Sequence, residues 1–128
     1  MNRAHLIAAG LLVVGIGGVA VALAGGSPTG DLTREELDSF AQCLTENNAT
    51  FYGSFRCGHC ADQKAMFGDA MQYIDYVECH PDGPQAQPRM CREKNIRGTP
   101  TWIIGDERYT GTQTLQDLAQ ATGCTLPR

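Results

Sequence analysis

The stretch "SFRCGHCADQKAMF", residues 54–67, sets Cys57 and Cys60 three positions apart, with Gly58 and His59 between them, at the start of a helical pattern. Cysteines at that spacing read as a redox pair, as half of a metal site or as a structural staple. What stands on either side decides. Just upstream, "ATFYGSF" (49–55) is rich in aromatic residues, reads as a short strand and runs straight into Arg56 and Cys57. Downstream, Met66, Phe67, Ala70 and Met71 continue the helix. In a CxxC that opens a helix, the first sulfur meets the positive end of the helix dipole and backbone N–H groups with no intrahelical partner, and both favour a thiolate. Cys57 is therefore the candidate nucleophile, and Cys60, one turn in, the resolving thiol. Arg56 and His59 bring positive charge close by, and such settings lower a cysteine pKa to roughly 3.5–7.5 from about 8.5. A stabilised thiolate stabilises the reduced form, which makes the disulfide a stronger oxidant.

Further out, the elements fall into a simple order. Thr33 and Glu36 form a capping box, with Leu32 and Leu37 at the positions of a hydrophobic staple, and Leu37, Phe40, Ala41 and Leu44 follow helical spacing up to Asn47-Asn48. After the CxxC helix come a strand in "YIDYVEC" (73–79), a loop in "HPDGPQAQP" (80–88) and a short helix in "RMCREKNI" (89–96). "TPTWIIG" and "RYTG" make a hairpin with its turn at Asp106-Glu107, and Thr112 is expected to cap a last helix that ends at Gly123. Helix, strand, helix, strand, helix, strand, strand, helix means an α/β domain, a small central mixed sheet with helices on both faces. In that order a CxxC at a strand-to-helix junction reads as a thioredoxin-like site.

From about Leu37 to Cys124 the sequence resembles the thioredoxin-like domain that accompanies vitamin K epoxide reductase homologues. The segments "FYGSFRCGHCADQKAMFG", "YIDYVECHPDG", "NIRGTPTWIIG" and "LQDLAQATGC" carry the resemblance, and "CGHC" also matches the active-site tetrapeptide of protein disulfide isomerases. The resemblance implies a thioredoxin-like fold and a thiol–disulfide oxidoreductase acting on client proteins, with no cofactor in the domain and a membrane quinone-linked vitamin K epoxide reductase homologue as electron partner. It also implies a cis bond at Thr99-Pro100, lying against the CxxC and offering backbone groups to an extended substrate peptide. Without the resemblance, Gly98-Thr99-Pro100 is a turn before a strand. Two positions depart from the common pattern of thioredoxins and disulfide isomerases: Arg56 replaces the tryptophan before the first cysteine, and Phe51 replaces the buried acid six positions before it. Asp62 and Lys64 are the charged residues on the first turns of the same helix; they either assist Cys60 or are solvated surface charges.

Four cysteines remain, and with Cys57 and Cys60 paired they allow three pairings. Cys79 ends a strand at the active-site edge and Cys91 lies in the helix reached through the next loop, which favours Cys79–Cys91. Cys43 and Cys124 both fall at the opposite end of the sheet. The other possibility for all four is buried free thiols. Metal binding is the rival chemistry, with Cys57, Cys60, Cys79, His80 and Cys91 as donors, but the second half lacks a tight ligand pair and no metal is expected.

The chain has 128 residues, enough for one small core plus an appendage. The appendage, residues 1–24, contains an uncharged apolar run from Leu6 to Ala24, nineteen residues long. As a helix it would span about 28 Å, close to the hydrocarbon thickness of a bilayer. Arg3 on its short leading side favours a cytoplasmic N-terminus, which places the Gly/Ser/Pro linker (25–31) and the domain (32–128) on the extracytoplasmic side. A signal peptide cleaved after Ala22-Leu23-Ala24, giving a secreted domain, is the alternative. Residues 31–128 carry nine basic and fourteen acidic side chains, a net charge of -5 that argues against nucleic acid as a partner. The alternative enzyme reading is a protein-disulfide reductase or isomerase fed by a membrane thiol donor, and a disulfide-stapled binding module with no catalytic role is the reading from another class.

Overall fold

The computed structural model describes residues 31–127. The apolar run Leu6–Ala24 and the start of the linker lie outside the described residues; among those described, no helix is long and apolar enough to cross a membrane.

Helix α1, Arg34–Glu46, starts where its capping box puts it. The Thr33 hydroxyl accepts from the Glu36 N–H at 3.2 Å, and the Glu36 carboxylate accepts from the Thr33 N–H at 2.7 Å. Asn48, in the left-handed region at φ 60°, turns the chain into β1, Ala49–Gly53. Then follow α2 (Gly58–Phe67), a 3-10 turn (Gly68–Tyr73), β2 (Asp75–Glu78), α3 (Pro88–Glu93), β3 (Thr101–Ile104), β4 (Glu107–Thr110) and α4 (Leu115–Thr122). The sheet order is β2-β1-β3-β4, with β1 parallel to β2 and antiparallel to β3, and β3 antiparallel to β4.

Alternation along β1 divides the interior in two. Ala49 and Phe51 face the main core, where Phe51 stacks on Trp102 at 5.0 Å between ring centroids and Phe40 of α1, Phe67 of α2 and Leu118 of α4 close around them. Tyr52 faces the other way, toward Val77, Ile103 and Cys91 of α3. Three helices thus cover one face of the sheet and one short helix the other, a mixed α/β architecture compatible with a thioredoxin-like fold.

Three local expectations shift. The CxxC helix does not continue through Ala70 and Met71: Gly68, at φ 52°, leaves the right-handed region and ends it, and the 3-10 turn carries Ala70 into the core instead. The hairpin turn is Gly105-Asp106, because glycine supplies the positive φ (60°) that a two-residue turn needs and Glu107 already pairs with Ile104. The cap of α4 is Thr114, which closes a capping box with Asp117, while the Thr112 hydroxyl is directed to the His59 carbonyl at 3.4 Å.

Candidate active site

Strand β1 delivers the chain to Ser54, a turn closed by the Cys57 N–H on the Ser54 carbonyl (3.1 Å) redirects it, and α2 begins. Cys57 is the N-cap of that helix: its backbone is extended and its sulfur accepts the Cys60 N–H at 3.2 Å. Cysteine thus stands where Ser, Thr or Asp commonly sits. As a thiol, Cys57 also faces the Thr99 carbonyl oxygen at 3.4 Å. Burial pushes the Cys57 pKa up, but hydrogen bonds from the Cys60 and Thr99 side chains and from the N–H groups of Cys60 and His59 together outweigh it, and the net direction is down. The carbonyl contact serves only the protonated sulfur, so ionisation exchanges it for the donors.

Cys60 sits one turn deeper and is fully buried, and burial followed by the Cys57 side chain pushes its thiol up to about 11. The site therefore holds an accessible sulfur that ionises early and a buried one that ionises late. Both are free thiols in this structure.

The two neighbouring basic residues do less than the sequence suggests. Arg56 places its guanidinium over the Phe55 ring (5.3 Å) and toward Asp82 (3.8 Å), and the His59 imidazole is exposed and faces Asp62 at 3.9 Å. What lowers Cys57 is a set of hydrogen-bond donors, to which His59 contributes its backbone rather than its ring. Gly58 is exposed, and a side chain there would meet open space. Asp62 is spent on His59, and Lys64 sets its ammonium over the Tyr76 ring at 4.1 Å.

The Thr99-Pro100 bond is cis, and the carbonyl before it is the one that meets Cys57. A cleft of about 380 Å³ lies along this segment, lined by His59, Thr99, Pro100, Gly111 and Thr112 among others. A wider groove of about 970 Å³, lined by residues of α1, α2 and α4, contains no thiol. The smaller cleft is the one that adjoins the thiol, because Thr99, which lines it, is the residue whose carbonyl meets Cys57.

The other four cysteines are joined in pairs, Cys43 to Cys124 and Cys79 to Cys91. Cys79 and Cys91 are thereby unavailable as metal ligands, and among the described residues no group of three or more His, Cys, Asp or Glu side chains could hold a metal ion.

Sequence reasoning passed over three polar residues that shape the site. Gln63, fully buried on the inward face of α2, accepts from the Trp102 indole N–H (3.0 Å) and the Gln113 N–H (2.7 Å) and donates to the Gln113 carbonyl (3.0 Å). It locks the CxxC helix to β3 and to the loop before α4. Glu78 and Tyr76 form the second feature: Glu78 is 2% exposed, and its carboxylate accepts from the Tyr76 hydroxyl (2.7 Å), the Phe55 N–H (3.2 Å) and the His80 N–H (3.0 Å). The available signal was spacing. Gln63 lies three residues after Cys60 and four before Phe67, and Tyr76 and Glu78 share one face of their strand.

A low-pKa thiol at a helix N-terminus, a buried partner thiol one turn on and a cis-proline beside them define a site suited to thiol–disulfide exchange. The chain is 41% identical over 92 residues, 69% of its length, to the protein of Arabidopsis thaliana named thiol-disulfide oxidoreductase LTO1. It spans about a quarter (24%) of that relative's length. No family model matches the chain.

Proposed function

We propose that the protein is a thiol–disulfide oxidoreductase that exchanges disulfides with client proteins through Cys57 and Cys60. The observation that carries this reading is the inequality of the two thiols: Cys57 accessible with its pKa lowered, Cys60 buried with its pKa raised. The name of the Arabidopsis relative supports it. In the oxidising direction a client thiolate attacks the Cys57 sulfur of the oxidised pair, the S–S bond breaks, and Cys60 leaves as a thiolate and takes a proton. A second client thiolate then attacks the client sulfur of the mixed disulfide. Cys57 leaves, the client gains its disulfide, and two electrons rest on the dithiol.

The cleft along Thr99-Pro100 is the place for the client backbone, since an extended peptide can pair there whatever its sequence. Reoxidation falls to a membrane quinone-linked vitamin K epoxide reductase homologue, as the sequence resemblance implies. The domain faces the extracytoplasmic side, held by residues 6–24. The apolar run behind Arg3 and the two internal bridges, which suit an oxidising compartment, support that placement.

The test is covalent trapping. Cys60→Ser expressed in cells should accumulate high-mass adducts that collapse with dithiothreitol, Cys57→Ser should give few, and the double variant none. Equal trapping by the two single variants would remove the assigned roles. A reduction potential well above about -200 mV would support the oxidising direction, and one near about -270 mV would reverse it.

A further inference from the structure

Cys60 must lose its proton before it can attack a mixed disulfide on Cys57, and its surroundings oppose that. At a pKa of about 11, roughly one molecule in ten thousand is ionised at neutral pH without help. No help comes from the position six residues before Cys57. Phe51 stands there, packed between the rings of Trp102 and Tyr76.

The buried carboxylate on this face of the sheet comes instead from the neighbouring strand. Glu78 pairs with Gly53 across the parallel β1–β2 ladder and is the one buried carboxylate among the described residues. Its Oε1 is fixed by the N–H groups of Phe55 and His80, and its Oε2 accepts the Tyr76 hydroxyl. The main chain at Gly83 covers it so closely that a Cβ there would overlap the Glu78 Cγ and Cδ. Tyr76 in turn lies over the end of β1 that leads to the thiols. Its hydroxyl passes over Gly53, 3.0 Å from where a Cβ would stand. The N–H of Ser54, the next residue, holds the Cys60 sulfur. Both groups therefore converge on the Gly53–Ser54 peptide, and Tyr76 lies within electrostatic reach of both sulfurs. The charged groups around the pair are the Lys64 ammonium on α2, 4.1 Å from the Tyr76 ring, and Arg56 and Asp82 in the flanking loops, where the His80 Nδ1 accepts the Asp82 N–H.

We infer that Tyr76 and Glu78 form the proton acceptor for Cys60, standing in from the adjacent strand for the acid that Phe51 replaces. The inference rests on the exchange reaction proposed above and adds its proton path. The Cys60 proton passes to the Tyr76 oxygen as the Tyr76 proton moves to Glu78 Oε2. The Cys60 thiolate then attacks the Cys57 sulfur, the bond from Cys57 to the client sulfur breaks, and the client leaves as a thiolate with the bonding pair. When the pair is reduced by a client, the same path returns the proton to Cys60. Glu78 acts through Tyr76 and is a positioning residue; neither is needed for Cys57 to ionise.

The experiment uses the full chain in detergent, mildly reduced so that the two internal bridges stay closed, and mixed with 5,5′-dithiobis(2-nitrobenzoate) in a stopped-flow instrument. The first thionitrobenzoate released reports attack by Cys57, and the second reports attack by Cys60 on the resulting mixed disulfide. Tyr76→Phe, which keeps the ring, and Glu78→Gln should leave the first phase unchanged. They should slow the second about tenfold to a hundredfold at pH 7, within the range of general acid–base effects. The deficit should close as pH approaches 11, where Cys60 ionises unaided. A second phase in Tyr76→Phe that matches the unaltered protein at every pH would overturn the inference, as would a deficit that is the same at every pH. Failure of the exchange reading itself looks different: the unaltered protein would then release no second equivalent.

Discussion

Two cysteine pairs of this molecule sit at opposite ends of helices, and their chemistry differs accordingly. Cys57 caps the N-terminus of α2, where N–H groups point at its sulfur. Cys43 lies in the last turns of α1, and Cys124 directly follows Gly123, the left-handed residue that ends α4. At those C-termini the backbone presents carbonyls and the negative end of each dipole, which disfavour thiolates. The side-chain donor there is the Asn47 amide, 3.4 Å and 3.5 Å from the two sulfurs. A disulfide is reduced more readily when its thiolates are stabilised, so the helix end helps to separate a pair fit for turnover from a pair fit for holding.

The largest difference to test is stability. Cys43–Cys124 spans 81 residues of sequence, and opening it with a double alanine substitution should cost about 4 to 5 kcal/mol in urea unfolding, by the chain-entropy account. Replacing Cys57 with serine and Cys60 with alanine in the dithiol protein should cost about 1 kcal/mol, an ordinary core truncation. Equal losses would break the comparison.

Reactivity sharpens it. With both internal bridges closed, iodoacetamide should modify Cys57 with a pH midpoint below that of an ordinary thiol, whereas Cys60 should respond only near pH 11. The signs follow from the environments: donors hold the Cys57 thiolate, and burial holds the Cys60 proton. Midpoints in the reverse order, read by peptide mass spectrometry, would assign the nucleophile to the wrong cysteine.

The smallest effect concerns Asn47. Its amide donates to the Cys43 carbonyl at 2.8 Å as well as lying beside both sulfurs, so Asn47→Ala should cost about 1 kcal/mol and make the Cys43–Cys124 bridge slightly harder to reduce. A bridge that becomes easier to reduce would show that helix-end electrostatics does not govern it.

Much of this contrast could be read from the sequence, because it rests on local signals. The T-x-x-E box placed the start of α1, and Asn47-Asn48 placed its end. The element order and the strand running into Cys57 came from periodicity. Other features depended on contacts between distant residues. Gln63 reads as one more polar position on a helix until Trp102 and Gln113 are brought to it from about 40 and 50 residues away. Glu78 reads as the end of a strand until the parallel register sets it beside Gly53. Arg56 and His59 belong with these: both flank Cys57 in sequence, but their side chains face Asp82 and Asp62, at 3.8 Å and 3.9 Å.

The bridge from Cys43 to Cys124 has a consequence for how the domain is degraded. It closes a covalent ring that contains all four strands and helices α2, α3 and α4. The exposed loop between Cys79 and Cys91, an open target for a protease, lies inside that ring and inside the smaller one closed by its own cysteines. A single cut there leaves both pieces tethered, still packed and unchanged in mass apart from one added water. Separating the two pieces of a domain cut once there therefore takes reduction as well as cleavage, and a nicked population would stay hidden on any gel run without reductant.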